Sequence, residues 1–128
     1  MLDGTGSQQL TPGSHHDVSP NWSPDGASIA FVRLFPANAE IFLISLTDGK
    51  HSNLTSSPGG DYQPRWSPDG RWIAFVRRVA DRSHLWVMRA DGTASRQLSD
   101  GSVRDMDPTW IGNSIIVFAR TPAGSGLG

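Results

Sequence analysis

Trp22, Trp66 and Trp110 stand 44 residues apart each time, so the fold must repeat on that length. Other landmarks hold the same phase. Leu10-Thr11, Leu54-Thr55 and Leu98-Ser99 recur, as do Pro20, Pro64 and Pro108, and Asp17, Asp61 and Asp105. Trp22-Ser23-Pro24-Asp25-Gly26 returns as Trp66-Ser67-Pro68-Asp69-Gly70, and Ile29-Ala30-Phe31-Val32-Arg33 as Ile73-Ala74-Phe75-Val76-Arg77. A period of ~40–45 residues is that of a four-stranded propeller blade. Helical repeats of similar length exist, so the local pattern decides. Each unit holds four short runs of Val, Ile, Phe and Trp separated by Pro, Gly, Asp and Asn, which reads as strands a to d.

The first repeat predicts strands near 18–23, 28–34, 40–46 and 51–55. The second predicts 62–67, 71–78, 84–90 and 95–99, and the third supplies only 106–111 and 114–120. Residues 7–11 read as a d strand whose own a, b and c are missing. Ser-Pro-Asp-Gly reverses the chain between a and b: Pro presets φ at the second turn position and Gly tolerates a positive φ at the fourth. Asp48-Gly49 and Asp91-Gly92 do the same between c and d. Ile29 to Val32, Ile41 to Ile44, Ile73 to Val76 and Leu85 to Met88 are continuous apolar runs. A sandwich strand, wet on one face, would alternate, so these sheets are covered on both faces.

The expected architecture is all-β, an incomplete β-propeller of two full four-stranded antiparallel blades plus parts of two others. The blades fall at about 18–55 and 62–99, with a partial blade at 106–120, all within a repeat region of 7–120. A flexible start at 1–6 and a flexible tail at 121–128 complete the division. Closed propellers use 4–8 blades, so the chain reads as a fragment of a longer protein. Assembly of several copies into a ring is the other way to cover the end blades.

The pattern Leu-Thr, Asp-x-x-Pro-x-Trp-Ser-Pro-Asp-Gly, Ile-Ala-Phe resembles the WD-like propeller repeats of the TolB family, over residues 7–120. Similar blades occur in the propeller domain of prolyl-oligopeptidase-type peptidases. The third repeat departs from the pattern. Trp110 is followed by Ile111-Gly112-Asn113, one residue short and without Ser-Pro-Asp-Gly. The resemblance implies a non-catalytic protein- or peptide-binding module in a periplasmic or cell-envelope setting, and a cytoplasmic one outside that family. The alternative it implies is the propeller portion of a serine peptidase, gating access to a separate hydrolase domain. A lyase or sugar hydrolase would need carboxylates or histidines converging from several blades.

Function belongs on the face carrying the d–a and b–c loops, which differ between repeats. Loop d–a reads Pro12-Gly13-Ser14-His15-His16, then Ser57-Pro58-Gly59-Gly60. Loop b–c spans 35–39, then 79–83. Asp17, Asp61 and Asp105 recur on that face just before strand a and are the candidate ligand-face residues. A carboxylate ring around the channel would attract cations or basic peptides. The alternative is a structural Asp bonding turn amides, and recurrence at every unit is what that role demands. Adjacent His15 and His16 point opposite ways on an extended chain and chelate poorly. Asp105 and Asp107 lack the other ligands of a calcium loop. Arg77, Arg78 and Arg82 form a small basic group at strand ends.

No metal, cofactor or catalytic residue is expected. There is no Gly-x-Ser-x-Gly elbow, phosphate-binding loop or His-Glu-x-x-His. The absence of cysteine excludes thiol nucleophiles and Cys-ligated zinc. A formal net charge of −1 argues against a nucleic-acid partner. No apolar stretch approaches the roughly 20 residues of a membrane-spanning helix, and the first residues hold no basic and apolar leader. The expected partners are a protein or peptide, and further blades or copies of the chain.

Overall fold

The computed structural model describes residues 5–100 and 103–122. It contains ten strands and, among the described residues, no helix, hence none long and apolar enough to cross a membrane. The first blade is β1 (His16–Trp22), β2 (Ser28–Phe35), β3 (Asn38–Ser45) and β4 (His51–Asn53), antiparallel in the order β1-β2-β3-β4. The second blade is β5 (Gly60–Trp66), β6 (Trp72–Val79), β7 (Arg82–Arg89) and β8 (Arg96–Gln97). The partial third is β9 (Val103–Ile111) and β10 (Ile115–Pro122). Strands a of successive blades converge at the hub, where β1 touches β5 and β5 touches β9.

Both faces of the second blade are covered, as its apolar runs predict. Ile73, Phe75 and Met88 pack with Ala30 and Ile41 of the first blade, all fully buried. The alternation of strand side chains turns Val76, also buried, toward the third blade. Trp66 and Trp110 each tie their blade to the one before. Trp66 Nε1 donates to the Asn21 carbonyl at 3.2 Å, and Trp110 Nε1 to the Arg65 carbonyl at 2.9 Å. Among the described residues no blade lies before Trp22, which is 58% exposed. At the other end Ile115 and Val117 of β10 are exposed, with no strand following among the described residues.

The d strands are shorter than their pattern suggests because a hydroxyl takes over the ladder. Ile41 N–H donates to Thr55 Oγ1, and Leu85 N–H to Ser99 Oγ, each at 2.9 Å, where a backbone carbonyl would otherwise accept. This explains the recurring Leu-Thr/Ser pair. Residues 7–11, expected as a strand, are not one. A strand needs a ladder partner, and the described chain offers no c strand there. Leu10 and Thr11 nevertheless line a hollow with Ile29, Phe31 and Ile44. In the next unit Leu54 likewise lies against the Ile73–Phe75 cluster.

Other expectations shift in detail. The b–c loops are two-residue turns rather than five-residue loops, because pairing runs out to Phe35↔Asn38 and Val79↔Arg82. Thr121 and Pro122 pair with Arg104 and Val103 in β10, so the strand runs two residues into the expected tail. The rest of that tail, and residues 1–4 of the expected flexible start, lie outside the described residues. A single parallel bridge, Ser83↔Arg104, joins the second and third blades. It forms because β8 covers only Trp86 and Val87 of β7, leaving the edge at Ser83 open.

The a–b turns close through one hydroxyl. Ser23 Oγ donates to Asp25 Oδ1 at 2.6 Å and accepts from Ser28 N–H at 3.0 Å; Ser67 and Asp69 repeat this at 2.7 and 3.0 Å. The irregular third turn, Gly112-Asn113-Ser114, still links β9 to β10. Asn113 Oδ1 accepts from the Asp69 backbone N–H at 2.9 Å and binds this turn to its neighbour. In the c–d turns, Gly49 has φ 72° with open space around it, whereas Gly92 has φ 87° and a Cβ there would lie 2.8 Å from the Leu54 carbonyl oxygen. We expect Gly92→Ala to cost about 2 kcal/mol or more, left-handed strain plus a backbone clash. Gly49→Ala meets only the strain, about 1 kcal/mol. Paired urea titrations check the difference.

Candidate functional site

Strand a starts earlier than its pattern suggests, which brings all three recurrent aspartates inside it. The reason lies on strand b. Asp17, Asp61 and Asp105 pair in register with Arg33, Arg77 and Arg120. Each Arg forks onto its carboxylate through two hydrogen bonds. The distances are 2.8 and 2.9 Å in the first blade, 2.7 and 3.1 Å in the second, and 2.7 and 3.0 Å in the third. Asp61 and Asp105 are fully buried. The guanidiniums also stack on aromatic faces, Arg33 at 4.6 Å from the Phe42 centroid and Arg77 at 4.2 Å from that of Trp86.

Hydroxyls from the preceding d–a segment complete the carboxylate shells. Ser57 donates to Asp61 at 3.2 Å, and Ser99 donates to Asp105. The hydrogen bond from Arg33 holds Asp17 below its ordinary 3.8. At Asp105 burial pushes the value up, but hydrogen bonds from Arg120 and Ser99 outweigh it and the carboxyl ends below 3.8. Buried Glu40 accepts from Asn38, Thr55 and Ser57, and burial raises it above 4.5. With their oxygens engaged by neighbours, these carboxylates hold strand ends in register beneath the loop face.

Two residues further along strand a lies the hub itself. Ser19, Gln63 and Asp107 sit in β-bulges with φ of 54°, 55° and 55°, each immediately before its proline. A non-glycine residue there is strained by about 1–3 kcal/mol, and such strain gathers at functional positions. Gln63 Nε2 donates to Asp107 Oδ1, and Asp107 N–H donates to Gln63 Oε1, both at 2.8 Å, linking adjacent blades across the hub. Asp105 and Asp107 therefore serve different partners. These three residues are not among the expected site residues: they lie 44 apart, but their types differ and what they share is the backbone conformation.

Beside the ring opens a cleft of about 380 Å³ drawing on three blades. Its walls include Ser19, Tyr62, Gln63, Arg78, Arg82 and Arg104. The expected basic group thus divides, Arg77 entering the buried pair with Asp61 while Arg78 and Arg82 face the cleft. His15 and His16 are exposed at the start of β1.

The family model described as the TolB beta propeller domain matches residues 2–126. The chain belongs to the TolB propeller family. The Tol-Pal system protein TolB of Legionella pneumophila (strain Corby) is 42% identical over 57 residues, 44% of this chain and 14% of that protein. TolB from Acinetobacter baumannii superposes with a TM-score of 0.71 at 20% identity, covering 98% of this chain and 34% of that one. A puromycin-hydrolyzing peptidase of Mycobacterium tuberculosis gives 0.67 at 18% identity, covering 85% of this chain and 19% of that one. At those identities the two structures share the fold alone. The chain spans 14% of its TolB relative from Legionella, so what it carries is part of a TolB-type propeller.

Proposed function

We propose that this chain is a non-catalytic docking portion of a TolB-type propeller in the cell envelope. It holds a protein or peptide partner on the face where the b–c turns and d–a segments meet the hub. The observation that carries this reading is the cleft beside the bulge ring, whose walls come from three blades. The likeness to a Tol-Pal system protein of Legionella supports a partner within that system. In this reading Asp17, Asp61 and Asp105 serve the ligand face from beneath, keeping the strand ends that carry the cleft in place. The exposed Ile115 and Val117 take the next blade of the parent propeller, or of another copy.

A photo-crosslinking amino acid placed in the whole protein tests the face. Tyr62→benzoylphenylalanine lies in the cleft, while Lys50→benzoylphenylalanine lies on the opposite, c–d face. Adducts with a second envelope protein are expected from the first site and not the second. Equal labelling from both, or none from Tyr62, would remove the reading. An adduct within the same polypeptide, to a hydrolase domain, would favour the peptidase-type alternative suggested by the Mycobacterium tuberculosis structure.

A further inference from the structure

We infer that the hub cleft is a carboxylate-recognition subsite, reading acidic groups of an extended peptide through Arg78, Arg82 and Arg104. The inference rests on the docking face proposed above and adds what that face selects.

Three guanidiniums and a single carboxylate, Asp81, line the cleft, an excess of two positive charges in a chain of net charge −1. Their donors remain available. Arg104 Nε donates to the Asp81 backbone carbonyl at 2.9 Å, which leaves its terminal nitrogens for another acceptor. Arg78 lies 5.8 Å from the Tyr62 ring centroid, a contact that uses the cation's face and not its N–H edge. None of the ion pairs among the described residues includes any of the three. A planar fork of N–H donors matches a carboxylate in two parallel hydrogen bonds. Tyr62, Val76 and Met106 supply an apolar wall for the carbons of the same ligand.

The repeat separates this cluster from the scaffold. The fold needs its Asp–Arg pairs in every blade, and they recur. One period before Arg78, Arg82 and Arg104 stand Leu34, Asn38 and Gly60. In each case the preceding blade is built without the cation, the first blade having Leu34 and Asn38 and the second Gly60, so these cations are not a requirement of the blade. They collect where the second and third blades meet, at a cleft open to solvent.

The test is fluorescence anisotropy on the whole protein with three labelled peptides. One is an amidated Asp/Glu-rich peptide, one a neutral peptide with a free C-terminal carboxylate, and one a neutral amidated control. Binding of either of the first two, weakening with added salt, is expected, and which one binds tells side-chain from terminal carboxylates. Arg82→Gln and Arg78→Gln should each weaken it about tenfold, the loss of one charge-assisted contact. Arg78→Lys, which keeps the charge but loses the fork, should restore only part. Arg71→Gln, on the opposite face, should leave binding unchanged. Equal binding of all three peptides, or affinity indifferent to Arg78 and Arg82, overturns the inference. If Tyr62 crosslinks a partner while no acidic peptide binds, the subsite fails and the docking face stands. Loss of both removes both.

Discussion

Replacing Trp66 by alanine is expected to destabilise the protein by about 3 kcal/mol, while the same change at Trp22 costs about 1 kcal/mol or less. The two residues occupy the same place in the repeat and differ in what lies against them. Trp66 packs on the cluster of Ala30, Ile41, Ile73 and Phe75 and donates its indole N–H to Asn21 of the preceding blade. Its removal opens a cavity between two blades and leaves the Asn21 carbonyl without that donor. Trp22 is 58% exposed, so truncation there takes away little buried surface. Urea unfolding of both variants measures the contrast. Equal losses would mean that these side chains act within their own blade, against the interlocking described above.

The repeat made most of the architecture readable. Apolar runs without alternation marked sheets covered on both faces, and Ser-Pro-Asp-Gly marked the a–b turns. Contacts that cross blades were harder to see. Arg33 and Arg77 stand in phase, but Arg120 falls one residue early because the third a–b turn is one residue short, so its pairing with Asp105 does not show in a comparison at fixed spacing. The hub ring was hidden for another reason. Ser19, Gln63 and Asp107 share no chemistry; they share a backbone conformation that residue type does not announce. The d strands read long because Thr55 and Ser99 look like strand residues, while their hydroxyls stand in for the ladder. Arg78 and Arg82 look like solvated strand ends until folding brings Arg104, from the next unit, beside them.

The buried Asp–Arg pairs carry the second large effect. Asp61→Ala is expected to cost about 3–5 kcal/mol, because it strands Arg77 between Phe75 and Trp86 with its counter-charge gone. Adding Arg77→Leu should return much of that loss, since replacing both members of a buried pair by apolar groups is often close to neutral. A double-mutant cycle read by urea unfolding gives the coupling. Without recovery in the double variant, the pair would be contributing more than mutual neutralisation.

The pairs at Asp17 and Asp105 set the acid limit. Asp17 and Asp105 lie below 3.8 in the folded state, so each stabilises the fold above that value and loses its contribution as pH falls through its lowered pKa. Glu40 lies above 4.5 and acts in the opposite sense: the folded state binds its proton more readily, so stability gains slightly as pH falls through that raised value. The pH profile should therefore rise a little toward 4.5 and drop below 3.8. Asp17→Asn removes one contributor to the acid drop and should make it shallower, whereas Glu40→Gln should flatten only the rise that precedes it.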